Sequence, residues 1–434
     1  MFKHLSILLS FLSSRALADG YWDEQFGVPG APGGVVAVAR FGNKVIVGGS
    51  FTSIGGVSAT NLAQWDGTNW APVGGGVGGV VYALAVAGGQ LYVGGYFTQV
   101  GDVGANNIAR WDGTNWSALQ EGVNDIVIAM ASDGASVYAG GHFTMAGRNT
   151  VGKVARWDGT NWSGLGLGIL TVGAVGRVDS LAVSGGNLYV GGDFRIAGGT
   201  AATNIARWDG SAWHALGNGL RLADYSGIEN GAVRSLAIAS DKLYAGGYFR
   251  LAGTTPATNI AAWDGVQWSE LRGGTGSIGE VSTVTFSGSV LYAGGSFTNI
   301  GGIPAYRVEN WDGHDWSALG SGVSELGRAG EGILGLASTG SELVAVGIFT
   351  SAGGQPSTNI ALWHIPHEVA VQRSGTELRL SWPGTGSNFV LEACWNLSPT
   401  NWRAVPLTPS LVNGAWVVTN QLSSTNEFFR LRRR

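Results

Sequence analysis

The feature that most constrains this chain is a six-residue phrase that repeats. Trp65-Asp66-Gly67-Thr68-Asn69-Trp70 returns unchanged at 111–116 and at 157–162. Diverged copies follow as Trp208-Asp209-Gly210 with Trp213, Trp263-Asp264-Gly265 with Trp268, and Trp311-Asp312-Gly313 with Trp316. A seventh keeps Trp363 and then breaks into His364-Ile365-Pro366. Upstream of each copy lies another shared phrase, Gly48-Gly49-Ser50-Phe51 in the first unit. Its phenylalanine recurs as Phe97, Phe143, Phe194, Phe249, Phe297 and Phe349, with the double glycine kept in all but the last. Self-similarity at a fixed period means a stack of like units, because one such unit cannot bury its own faces.

Within a unit, apolar runs separated by Gly, Ser, Asn and Asp clusters read as four short antiparallel strands. In the second unit they are 81–86, 90–97, 107–111 and 115–119, the last two joined by a tight Asp112-Gly113-Thr114 turn. Glycine supplies the positive φ that such turns need. The broken seventh copy lacks an outer strand, and Asp19-Gly20-Tyr21-Trp22 mimics the missing turn and strand. The sequence therefore predicts that Trp22 completes the unit that ends at Trp363, which would remove two exposed strand edges.

The predicted architecture is all-β: a seven-bladed β-propeller over 19–365, closed by an N-terminal strand, followed by a small β-sandwich over 366–434. The runs ending in Gly-Gly (Leu91-Tyr92-Val93-Gly94-Gly95, Leu291-Tyr292-Ala293-Gly294-Gly295) and the later paired aromatics resemble the kelch-like superfamily, which includes galactose oxidase. The first aromatic of each pair is tryptophan and the gap within the pair is short. In this the pattern more closely resembles repeats of the fungal cortical cell-polarity marker and related bacterial secreted proteins. The resemblance implies a fold and not a chemistry. Beyond Pro366 the alternating runs at 377–382, 388–392, 402–405, 415–419 and 428–431 resemble a fibronectin-type or immunoglobulin-like sandwich.

The first eighteen residues carry Lys3 and His4, an apolar run from Leu5 to Leu12, and Ala16-Leu17-Ala18, a pattern that fits a cleaved signal peptide. The expectation is a protein that is secreted or held at the cell surface, with no membrane span after cleavage. Cys394 is the only cysteine, so no intramolecular disulfide forms. Seventy-four glycines without a Gly-X-Y period exclude collagen, and eighteen tryptophans argue against disorder. A formal charge of −4 with scattered basic residues leaves no footprint for nucleic acid.

Features that imitate sites have plainer explanations. Gly274 to Gly279 matches a dinucleotide pattern, but it joins two β units with no helix to receive a phosphate. The Trp-Asp-Gly aspartates come one per blade and cap their own turns, whereas calcium needs six to eight converging oxygens. His142, His214 and His314 fall in different blades, and His364 and His367 flank a proline at the junction, so no cofactor or metal is expected. Arg110, Arg156 and Arg207 share one position in consecutive units and read as solvated blade-face residues.

The connections between units and between second and third strands are longer and more variable than the others, and all of them emerge on one face. The longest, 217–231, carries Arg221, Asp224, Tyr225 and Glu229; Glu121, Asp125, Arg148, Glu325 and Arg328 are expected on the same rim. The favoured expectation is a monomeric, non-catalytic binding or cell-surface interaction protein that shows this rim to a protein or glycan. The alternative is a secreted enzyme on the same scaffold, either a metal-dependent oxidase or a carbohydrate-active hydrolase or lyase using rim carboxylates.

Overall fold

A computed structural model describes residues 20–170, 176–222, 231–276, 279–324, 332–365, 370–374, 377–383, 389–394, 403–412, 415–421 and 428–433. The leader at 1–18 lies outside the described residues. Contacts divide the chain into one unit of Trp22–Trp363 and a second containing Met1–Tyr21 and His364–Arg434.

Between Tyr21 and His364 the described residues form seven four-stranded antiparallel sheets of like order. In the second sheet the strands are Val80–Ala87, Gln90–Tyr96, Ile108–Trp111 and Trp116–Ala118, within a residue or two of the predicted bounds. The seventh sheet takes its outer strand from the other end of the chain, with Tyr21–Trp22 beside Ile360–His364. First strands pack on one another in order, from Val35–Phe41 round to Gly332–Ser338, which packs back on Val35–Phe41. This radial arrangement is that of a β-propeller.

Three repeated devices hold it. The first lies between neighbouring sheets. A Cβ at Gly48 would stand 2.4 Å from Val81 Cγ1, and one at Gly294 2.5 Å from Ile333 Cγ2, so the first glycine of each pair is the hole that receives the next sheet's β-branched knob. The seventh sheet inverts this arrangement. Elsewhere a residue with a side chain on the first strand faces glycine on the second (Ala37 with Gly48, Thr283 with Gly294), but here Gly335 faces Val346. The bulk has moved across the pair, which is why the double glycine is lost there.

The second device is the outer tryptophan. Trp116, Trp162, Trp213, Trp268 and Trp316 each donate Nε1–H to a carbonyl of the preceding unit (Gly74, Leu119, Leu165, Leu216 and Leu271) at 2.8–3.1 Å. Trp22 does the same to Leu319 at 2.9 Å and meets Trp363 edge to face at 5.3 Å.

The third device is asparagine. Asn61, Asn107, Asn204, Asn259 and Asn359 sit at φ of 60–66°, a region that favours asparagine among residues with a side chain. Each accepts the amide N–H of the repeat phenylalanine and donates to the chain entering the next sheet, as Asn204 does with Phe194 N at 3.1 Å and Leu220 O at 2.7 Å. Lys153 and Arg307 hold the same backbone conformation in the third and sixth sheets.

The connections from second to third strands carry small hairpins that periodicity did not predict, such as Gln99–Val100 with Val103–Gly104. Two-residue strands are too short to show alternation. The second unit, by itself, has sheets of Ala370–Ser374, Glu377–Pro383, Ala415–Gln421 and Ser410–Val412, and of Arg403–Ala404, Phe389–Cys394 and Phe428–Arg433. Leu378, Leu380, Trp382, Leu391 and Val418, drawn from both sheets, form its apolar cluster, and the Cys394 thiol is buried and unbonded. Among the described residues no helix is long and apolar enough to cross a membrane.

Candidate functional site

Each first strand contains a β-bulge at the same place, where the register to the second strand slips by one residue. The bulged residues are Val36, Tyr82, Ile128, Asp179, Arg234, Ser282 and Leu334. The residue before each is a fully buried Val or Ile, from Val35 to Ile333. The bulge frees one side chain per sheet from the packing between sheets. Five of these side chains (Val36, Tyr82, Ile128, Asp179 and Arg234) line a cavity of about 220 Å³ among the first strands.

The ring is bipolar. Val36, Tyr82, Ile128 and Leu334 form an apolar arc in four consecutive sheets, with Tyr82 38% exposed. Opposite it the fourth to sixth sheets carry charge. Asp179, whose side chain is only 6% exposed, receives Arg177 Nε at 3.0 Å and Arg234 Nη1 at 2.8 Å. Arg234 Nε also approaches Glu280 Oε2 at 3.5 Å, so two acids from neighbouring sheets hold its guanidinium. Asp193, paired in register with Arg177, has its carboxyl raised above the usual range by burial, an effect that Arg177 and Arg195 temper. Two guanidiniums and two carboxylates fixed in this way offer charge-assisted donors and acceptors of set direction.

Of the residues expected on the rim, Glu121, Asp125, Arg148 and Arg221 lie among the described residues. Arg148 Nε bonds Glu121 Oε1 at 2.7 Å, an exposed pair. Asp125 turns its Oδ1 to the N–H of Ile126. Arg221 lies on the short strand Leu220–Arg221, paired with Leu251–Ala252. Asp224, Tyr225, Glu229, Glu325 and Arg328 lie outside the described residues. The Trp-Asp-Gly aspartates cap their own turns: Asp112 Oδ1 accepts from Thr114 N and Asn115 N, both at 2.7 Å, and these bonds lower its pKa. Among the described residues no group of three His, Cys, Asp or Glu is placed to hold a metal ion.

Sequence reasoning did not single out Arg177, Asp179, Arg234, Glu280 or Tyr82. A signal was present in the internal alignment. At the bulge, one column varies from Val to Asp to Arg between a constant β-branched residue and a mostly small one.

The fold and this axial mouth define the class: an all-β repeat protein of the β-propeller type. A model of a β-propeller domain of unknown function (DUF5122) matches residues 43–64 and 89–112, the heart of the first two sheets. No curated protein matches the sequence. Solved structures similar to the chain include the computationally designed Ika8 protein (16% identity, 85% of this chain and 96% of that one, TM-score 0.44). They also include the WD40 β-propeller domain of Doa1 (13%, 81% and 97%, TM-score 0.46). A third is the β-propeller domain of the Trilobed protease from Pyrococcus furiosus (8%, 77% and 94%, TM-score 0.43).

Proposed function

We propose that the chain is an exported, non-catalytic binding protein that presents one face of a seven-bladed, kelch-like propeller to a protein or glycan at the cell surface. The observation that carries this reading is where the units differ. Outer tryptophans, turn aspartates and knob residues repeat around the ring, while the bulge column and the ends of the second strands do not. Ser50, Tyr96, His142, Asp193, Tyr248, Ser296 and Ile348 share one position and almost no chemistry. Variation gathered at one mouth of a repeated scaffold is how a fold hosts a binding site.

Closure by Tyr21–Trp22 supports the seven-blade count, and the apolar cluster shared by the two C-terminal sheets supports a sandwich acting as spacer or attachment module. Export rests on the leader alone. The test is the full chain on a glycan array and in a cell-surface pull-down. A saturable ligand supports the reading, and sugar release or stoichiometric metal in the purified protein favours an enzyme instead.

A further inference from the structure

The charged arc is electrically balanced, which says what it selects. Arg177 and Arg234 face Asp179 and Glu280 within 3.5 Å. An anion brought to this arc gains the guanidiniums and meets the carboxylates; a cation gains and loses the reverse. A neutral hydroxyl suffers neither penalty, because it donates to a carboxylate oxygen and accepts from a guanidinium N–H. Across the cavity stands the apolar arc with Tyr82, so a ligand seated there has an apolar face and a rim of hydroxyls. A pyranose ring has that form.

A second cavity of about 360 Å³ opens on the same face, walled by Tyr248, Glu280, Ser282, Ser296 and Leu334. Glu280 joins it to the first through Arg234. Each cavity therefore pairs one exposed tyrosine (Tyr248 is 40% exposed) with one end of the Arg234–Glu280 bridge. Pockets that engulf a whole drug-sized ligand run to ~300–1,000 Å³. Two linked spaces, one below the foot of that range and one just above it, suit successive single rings.

Resting on the binding reading above, we propose that the mouth binds a neutral saccharide chain, with one ring over Tyr82 beside Arg234 and a second over Tyr248 beside Glu280. Tyr82→Val and Tyr248→Ser introduce what Val36 and Ser296 already supply at the same repeat positions, so the sheets keep a packing they tolerate elsewhere. The experiment is calorimetric titration of the full chain with cellohexaose, laminarihexaose, mannohexaose, maltohexaose and xylohexaose. An acidic oligogalacturonate and a cationic chitosan oligomer serve as charged probes.

The expected result is binding of at least one neutral hexamer in preference to both charged probes. Each tyrosine variant should weaken it about tenfold, as loss of an aromatic anchor does, with unchanged melting, and Arg40→Ala, at the far end of the strand Val35–Phe41 where the side chain bonds Gly42 O and Thr339 O, should leave it intact. Preference for a charged probe, no neutral hexamer bound, or tyrosine variants that bind like the parent would overturn the proposal. A ligand found on the array or in the pull-down while these titrations fail would sink this inference and leave the binding reading standing. Failure of both would end both.

Discussion

Replacing Glu309 by alanine should stabilise the protein, and more so as pH rises. The third strand of every other sheet has alanine at this position: Ala63, Ala109, Ala155, Ala206, Ala261 and Ala361. In the sixth sheet Glu309 is 1% exposed and neither carboxyl oxygen has a hydrogen-bond partner. Burial pushes its pKa from 4.5 to about 8, a rise that the nearby Tyr306 backbone only tempers. The folded state thus holds a proton that the unfolded chain releases above pH 4.5. The resulting stability is complete below that pH and lost as pH climbs toward 8.

Each tenfold change in proton affinity between the folded and unfolded chain is worth about 1.36 kcal/mol. Between pH 5 and pH 8 the native protein should therefore lose roughly 3 to 4 kcal/mol from this group alone. Glu309→Ala removes that loss, and Glu309→Gln removes the titration while leaving a buried polar group. The assay is urea unfolding of the parent and both variants at pH 5 and pH 8, compared as midpoint times slope. A parent-to-alanine difference that stays the same at the two pH values would refute the argument.

Three further outcomes are expected. Trp22→Ala removes the buried indole and its bond to Leu319 from the closing strand, so melting should fall by the equivalent of about 3–5 kcal/mol; an unchanged transition would show that the ring does not depend on that strand. In the seventh sheet a Cβ on Gly335 would lie 2.9 Å from Val346 Cγ2. Gly335→Ala and Val346→Gly should each cost about 1–3 kcal/mol, whereas the double variant, which recreates the Ala37 and Gly48 pairing, should recover most of it; additive losses in the double-mutant cycle would reject the compensation. Lys153→Asn should raise stability by about 1 kcal/mol, because asparagine tolerates the left-handed backbone that lysine is forced into there; a lower melting temperature would count against that account.

The sequence by itself determined the repeat, the strands and the turn chemistry, because each is local. Trp-Asp-Gly writes its own turn, since the Asp112 carboxylate reaches only two and three residues ahead. The pairing of Trp22 with Trp363 was legible too, as an unfinished repeat at one end and a spare strand at the other. Pairing across sheets decided the rest. A bulge exists only relative to its partner strand, so the variable column that holds Asp179 and Arg234 marks a difference between units but not a direction toward an axis. Arg177, Asp179, Arg234 and Glu280 come from three units and become neighbours only when first strands converge. Glu309 reads as one more surface acid until packing shows it sealed in an alanine's place. Local hydrogen bonds can be read along a chain, but side-chain direction at a slipped register and proximity around a ring are set by packing between residues far apart in sequence.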